Sequence, residues 1–248
     1  MRNTWTNQSF KEHKLIRNIF LVGRSLNKSV NDQLVIESET YGDILQVDFI
    51  DSYKRLIDKT IYGLKWMSEY CENAKFIMKV DDDMVVNTKS LIEYFTSLSN
   101  YNSTNKMYGR CKHPYNIPIR DIKDKHYISR EDYAPDLWPN YCLGPAYILT
   151  SDTLKPLYNL TKFVKQFPME DVYVGLLASH LKIDLVDIEY MWVHFKKEFF
   201  KSPIQYNKDF KSKFLKLSNR IINNKNFLFF MIDRFDYFYL IWDLLIPK

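Results

Sequence analysis

Cysteine is scarce in this chain of 248 residues: Cys71, Cys111 and Cys142 are the only three, and no CxxC pair occurs. Three thiols cannot build a disulfide-stapled scaffold, and without CxxC spacing no zinc site is expected. Either one pair plus a free thiol or three buried thiols satisfies the count. A concentrated basic run is also missing. Lys and Arg outnumber Asp and Glu by 35 to 30, giving a net charge of +5, and the densest basic stretch, residues 208–216, is broken by Asp209 and by aromatics. Nucleic-acid modules gather basic charge on one face, so no nucleic-acid partner is expected. The mild excess suits an anionic small ligand such as a nucleotide diphosphate. Charge-free apolar runs are absent too. Charged and polar residues follow Met1 at once, with no signal-peptide h-region. Residues 227–246 are apolar and aromatic but carry Asp233, Arg234, Asp236 and Asp243. Each of these is costly at a bilayer centre, so the stretch reads as a packed or interfacial amphipathic element.

What is present is enough for a sizeable core. Apolar residues make up 46% of the chain, which suits one large α/β domain or two small ones. Aromatics reach 16%, with 18 Tyr and 17 Phe, and most are read as core. Four N-x-S/T triplets, at Asn7, Asn27, Asn102 and Asn159, point toward a secretory route.

Patterning predicts alternating strands and helices. Residues 16–23 form a short apolar run closed by Gly23, and residues 43–49 alternate apolar with polar; both read as strands. Over 52–71, Tyr53, Ile57, Thr60, Leu64, Met67 and Cys71 recur at steps of four and three, which marks one face of a helix. Asp51 or Ser52 is placed to cap it. Residues 75–80 read as the next strand and 90–98 as a helix. Residues 100–140, with Pro114, Pro118, Pro135 and Pro139, read as a long loop or hairpin near a site. Strands are expected at 147–150, 185–188 and 191–195, a helix or loose turn at 154–163, and a helix at 171–181. The alternation argues for a mixed, mostly parallel sheet covered by helices on both faces. In such folds ligands sit beyond the carboxyl ends of strands.

Asp81, Asp82 and Asp83 fall at such an end. Three adjacent carboxylates repel one another unless a cation offsets them. If the segment is extended, Asp81 and Asp83 point to one side and can share an ion, with oxygen ligands suiting magnesium or manganese. Such a cation could bridge nucleotide phosphates and neutralise a departing diphosphate. Taken alone, the triplet reads first as a solvated turn after a strand. A second acidic pair, Glu170-Asp171, opens the helix over 171–181, where a capping or dipole role is the plain alternative.

Together these segments resemble a known family. Residues 71–91, CENAKFIMKVDDDMVVNTKSL, are similar to the acidic block of the β-1,3-galactosyltransferase-like family, which includes β-1,3-N-acetylglucosaminyltransferases and, more distantly, Fringe. WPNYCLGPAYILT at 138–150 resembles its aromatic and glycine-rich block, and EDVYVG at 170–175 its second acidic motif. RNTW at 2–5 and DILQVDFIDSYKRLIDK at 43–59 resemble its opening segments, and the order is kept across residues 2–195.

The resemblance implies a GT-A fold, Rossmann-like, binding a UDP-sugar through Mn2+ or Mg2+. It implies Asp81 and Asp82 as diphosphate-site residues with Lys197 (or Lys196) beside them. It implies Asp83 as the direct metal ligand, with Asp81 and His194. It gives Asp171 the role of general base, with Glu170 next to it. The implied reaction is inverting, with a UDP-hexose donor and a glycan acceptor on protein or lipid. The implied place is the Golgi lumen, with membrane contact only through an anchor that this chain lacks.

Residues 1–207 are expected to be the catalytic domain and 208–248 an aromatic-rich extension. Two departures stand out: Gly144-Pro145-Ala146 replaces a richer glycine block, and Leu56 stands where the family often has Asn. The leading expectation is transfer of galactose in β-1,3 linkage. The alternatives are an N-acetylglucosaminyltransferase, a catalytically inactive carbohydrate-binding homologue and, last, a two-metal phosphatase or nuclease.

Overall fold

The computed structural model describes residues 2–6, 16–99, 103–113, 115–188, 192–195 and 229–232. Nine strands and five helices occur among them. In chain order they are β1 (Phe20–Arg24), α1 (Lys28–Tyr41), β2 (Ile44–Ile50), α2 (Leu56–Tyr70), β3 (Phe76–Val80), β4 (Met84–Val86) and α3 (Thr88–Ser99). There follow β5 (Lys106–Gly109), β6 (Ala146–Thr150), α4 (Leu154–Leu160), α5 (Glu170–His180), β7 (Asp184–Asp187), β8 (Trp192–Phe195) and β9 (Phe229–Ile232).

The α/β class holds, with a smaller parallel share than expected. β1 and β2 pair in parallel. A central sheet runs β3-β6-β5-β7, and a third runs β4-β9-β8. β6 is antiparallel to both β3 and β5, while β7 is parallel to β5. The reason lies in the connection: β5 reaches β6 through a long loop, and with no crossover helix the chain returns antiparallel. β9 comes from the segment expected to be a separate extension. It pairs with β4 and β8, and its Met231 is the register partner of both Met84 and His194.

The core forms where the apolar runs converge. β6 is buried along its whole length. α5 packs Val172, Tyr173, Val174, Leu177 and Ala178 against it, together with Leu154 and Leu157 of α4 and Ile57 and Leu64 of α2. The predicted α2 face is therefore the inner face, although the helix starts later than the spacing implies. Residues 53–55 form a 3-10 turn, and Ser52 makes no side-chain cap. Asp51 instead accepts from the Gly23 amide and pairs with Lys59.

Besides β4 and β9, α1 and β5 escape the pattern reading. α1 buries none of its residues, so it shows no apolar stripe; Asn27 caps it at one end and Gly42, at φ 62°, closes the other. β5 has four residues, buried inside the stretch read as loop.

The remainder of that stretch is ordered by one cation. Arg120 donates to the carbonyls of Ile128, Ser129, Tyr133 and Pro135. Cys111 and Cys142 form a disulfide across the loop, and Cys71 is free.

The packing of α5 makes one glycine indispensable. A Cβ at Gly175 would lie 2.3 Å from Tyr141 Cβ and 2.7 Å from the Asn140 carbonyl. Gly175→Ala should therefore cost about 1–3 kcal/mol through overpacking. A urea melt would show the midpoint falling at unchanged slope; a midpoint equal to wild type would mean that the segment over α5 yields freely.

Candidate functional site

β3 ends at Val80, and residues 82–83 form a turn closed by the Met84 amide on the Asp81 carbonyl. This corrects the extended geometry expected for the triplet. The three aspartates consequently differ in surroundings. Asp82 is exposed. Asp81 Oδ1 lies 2.5 Å from Lys79 Nζ. Asp83 is part-buried, and its Oδ1 is closed off from solvent with no hydrogen-bond partner. Burial, and then the charges of Asp81 and Asp82, push Asp83 up to about 6.

The exit of the turn is clamped from the N-terminus: the Trp5 indole donates to the Met84 carbonyl at 3.0 Å. Arg2 in turn binds both oxygens of buried Asp43, at 2.9 and 2.8 Å, and pairs with Glu37. These contacts give RNTW a structural task, holding the N-terminal segment against the strand that follows the triplet.

Lys79, which pattern reading passed over, ties the two acidic motifs together. Its ammonium reaches Asp81, the Gly144 carbonyl at 2.5 Å and Glu170 Oε2 at 3.8 Å. Gly144 passes the link on: its amide donates to Asp171 Oδ2 at 2.9 Å. The Val172 amide donates to Asp171 Oδ1, also at 2.9 Å. A Cβ on residue 144 would meet Asp171 Oδ2 at 3.2 Å, so the glycine is the close-approach residue of its block. Pro145 supplies its carbonyl to the Asp81 amide at 3.0 Å, a contact that needs no N–H from the proline.

Glu170 is enclosed. It is 7% exposed, and its Oε1 accepts from Tyr147 Oη at 2.6 Å and Thr60 Oγ1 at 3.0 Å. With Lys79 on the other oxygen, this carboxylate faces α2, β3 and β6. Asp171, next on the helix, retains partial exposure. Burial raises its proton affinity, while the Gly144 and Val172 amides pull the other way.

Tyr53 lies within electrostatic reach of the same charges. It is 57% exposed, and burial and then Asp171 and Asp81 raise its phenol. Its ring meets His126 edge-on at 6.4 Å.

His194 sits in β8, at the register position described above. Its side chain lies outside the described residues, as do Lys196 and Lys197. Among the described residues no three His, Cys, Asp or Glu side chains gather as a metal-ligand set. The unsatisfied Asp83 oxygen is the group that fits a cation: one carboxylate oxygen closed off from solvent, with two negative charges on the neighbouring residues.

Sequence comparison gives this geometry a family. The galactosyltransferase family pattern matches residues 1–189, and the chain belongs to that family. It is 32% identical over 207 residues to beta-1,3-galactosyltransferase 5 of Mus musculus, covering 84% of this chain and 65% of that protein. The Homo sapiens counterpart is 31% identical over 208 residues, covering 84% and 64%. UDP-GalNAc:beta-1,3-N-acetylgalactosaminyltransferase 1 of Mus musculus is 35% identical over 188 residues, covering 75% and 56%. The chain thus spans just under two thirds of the first two relatives. A crystal structure of a glycosyltransferase involved in glycosylation of the major capsid of PBCV-1 aligns at TM-score 0.38 and 12% identity, over 86% of this chain and 92% of that one, too weakly to carry argument.

The stranded Asp83 charge has a measurable consequence. Its folded-state value, about 6, lies above the ordinary 3.8, so folding favours the protonated form. The penalty is absent below the ordinary value, grows as pH rises, and is complete above 6. Asp83→Asn should therefore stabilise the cation-free protein at pH 8 and not at pH 4. After discounting for partial exposure, the gain is about 1 kcal/mol, or about 2–4 °C in Tm. Equal Tm differences at both pH values would remove Asp83 from this account.

Proposed function

We propose that this chain is the catalytic unit of an inverting hexosyltransferase that moves galactose from UDP-galactose to an acceptor sugar hydroxyl in β-1,3 linkage. The observation that carries the reading is the Gly144–Asp171 contact. It ties the carboxylate of EDVYVG to the segment at 144–145, which also holds the Asp81 amide and the Lys79 ammonium.

Asp171 is the general base in this reading. Two backbone amides orient its carboxylate, and its raised proton affinity suits a group that must take a proton near neutral pH. As the acceptor oxygen bonds to the anomeric carbon, its proton passes to Asp171. The bond from that carbon to the UDP oxygen breaks on the opposite face, and its electron pair leaves with the diphosphate. One displacement inverts the centre, so no enzyme nucleophile is required. Glu170, closed in by Thr60, Tyr147 and Lys79, holds the start of α5 and thereby its neighbour.

Asp83 would be the first ligand for Mn2+ or Mg2+, with Asp81 and His194 as further ligands, and Asp81, Asp82 and Lys197 would serve the diphosphate. When bound, the cation supplies charge neutralisation on the departing diphosphate. The Cys111–Cys142 bridge supports an oxidising compartment, and we place the protein in the Golgi lumen acting on protein or lipid glycans. Among the described residues no helix is long and apolar enough to cross a membrane.

The donor reading follows the galactosyltransferase relatives. A parallel assay with UDP-N-acetylgalactosamine and UDP-N-acetylglucosamine tests it, and clear preference for either would replace galactose. Asp171→Asn should retain UDP binding and lose transfer by about 10²–10⁴-fold, the usual worth of a general base. Turnover within a few-fold of wild type would take the role away from Asp171.

A further inference from the structure

Lys79 makes an unusual set of contacts. It sits on β3, 27% exposed, with its ammonium among three carboxylates and one peptide oxygen. Two of its contacts have different consequences. The interaction with Glu170 compensates a buried charge and could serve stability alone. The bond to the Gly144 carbonyl acts elsewhere, because the amide of that same residue holds Asp171 Oδ2. Gly144 is therefore held at both ends, by a cation on its oxygen and by an anion on its nitrogen. Asp81 is bound by the same ammonium and by the Pro145 carbonyl, one residue further on. The peptide segment at 144–145 thus carries both acidic motifs, and Lys79 fixes it to β3.

We propose that Lys79 is a positioning residue for transfer: its ammonium holds Asp81 directly and Asp171 by way of the Gly144 peptide, making one constellation of two motifs ninety residues apart in the chain. This rests on the reading of Asp171 as the base. It goes beyond that reading by naming the group that sets where the base sits. A lysine in this position also accounts for the lone glycine of the block. With Lys79 clamping its carbonyl, a single close-approach residue suffices to bring the backbone onto Asp171.

The experiment separates positioning from charge compensation. Lys79→Met leaves Glu170 buried without its cation and should lower Tm; the Lys79→Met/Glu170→Gln double variant removes that charge and should recover it. Against Glu170→Gln alone, the double variant should lose kcat by about 10²-fold, the scale of an ångström-size misplacement at a reacting centre, with a smaller change in KM. Hydrogen exchange at the Gly144 amide, read with no donor present, should speed up about tenfold or more as its bond to Asp171 loosens. A double variant with the kcat of Glu170→Gln and unchanged Gly144 exchange would reduce Lys79 to a counter-ion and overturn the proposal. If the wild-type chain transfers nothing, the proposed function fails, and the Gly144 exchange rate still decides the positioning role.

Discussion

The structure turns on a buried charge. Glu170 opens α5 from inside the protein, at 7% exposure, and a carboxylate there is tolerable only with a cation and hydrogen bonds around it. Lys79 from β3 supplies the cation, and Tyr147 from β6 and Thr60 from α2 supply the hydrogen bonds. Breaking such a pair from one side typically costs about 3–5 kcal/mol. Four elements, α2, β3, β6 and α5, are therefore tied together around this carboxylate. Once Glu170 is placed, Asp171 has little freedom, because it is the next residue of a helix whose first turn is pinned.

The loop before β6 must then arrive at a defined point. Gly109 ends β5 against Cys142, with a Cβ there only 2.6 Å from Cys142 Cβ. The disulfide joins Cys111 to Cys142 across 31 residues, which on the chain-entropy model contributes about 4 kcal/mol. Asp187 anchors the same corner by accepting from the amides of Cys111 and Lys112, both at 2.7 Å. Gly144 follows two residues after the bridge. The long irregular stretch is thus fastened hardest where it must present a backbone amide to Asp171.

Much of this was legible in the sequence, for reasons that differ between elements. β6 and α5 are apolar because they are interior, and interior runs are the strongest pattern a chain displays. The acidic triplet and EDVYVG were visible as charge in unlikely places. α1 was illegible because it buries nothing and so carries no stripe; its only marks are the caps at Asn27 and Gly42. β5 was illegible because four residues amid prolines and polar residues show no period. Lys79 was hidden for a subtler reason. In KFIMKV it reads as one polar residue in a mostly apolar strand, and only the fold shows that its neighbours are Glu170 and Gly144. β9 could not be foreseen, since what defines it is pairing with β4 and β8, more than thirty residues from either.

The same contacts make the three aspartates unequal, which the bare triplet conceals. Asp81 is committed to an ammonium that also serves Gly144, so moving it would disturb the segment that holds Asp171. Asp82 is exposed. Asp83 has surrendered solvent at one oxygen and received nothing in exchange, while its two neighbours add repulsion. An apolar protein interior would normally answer such a state by keeping the carboxyl protonated. A cation at that oxygen answers it differently, by stabilising the ionised form and turning the repulsion of Asp81 and Asp82 into attraction. Lysine and metal would then divide the acidic charge of the site between them: the lysine on the side of the proton acceptor, the metal on the side of the diphosphate. On the proposed reading that division would give Lys79 a second task, beside its compensation of buried Glu170.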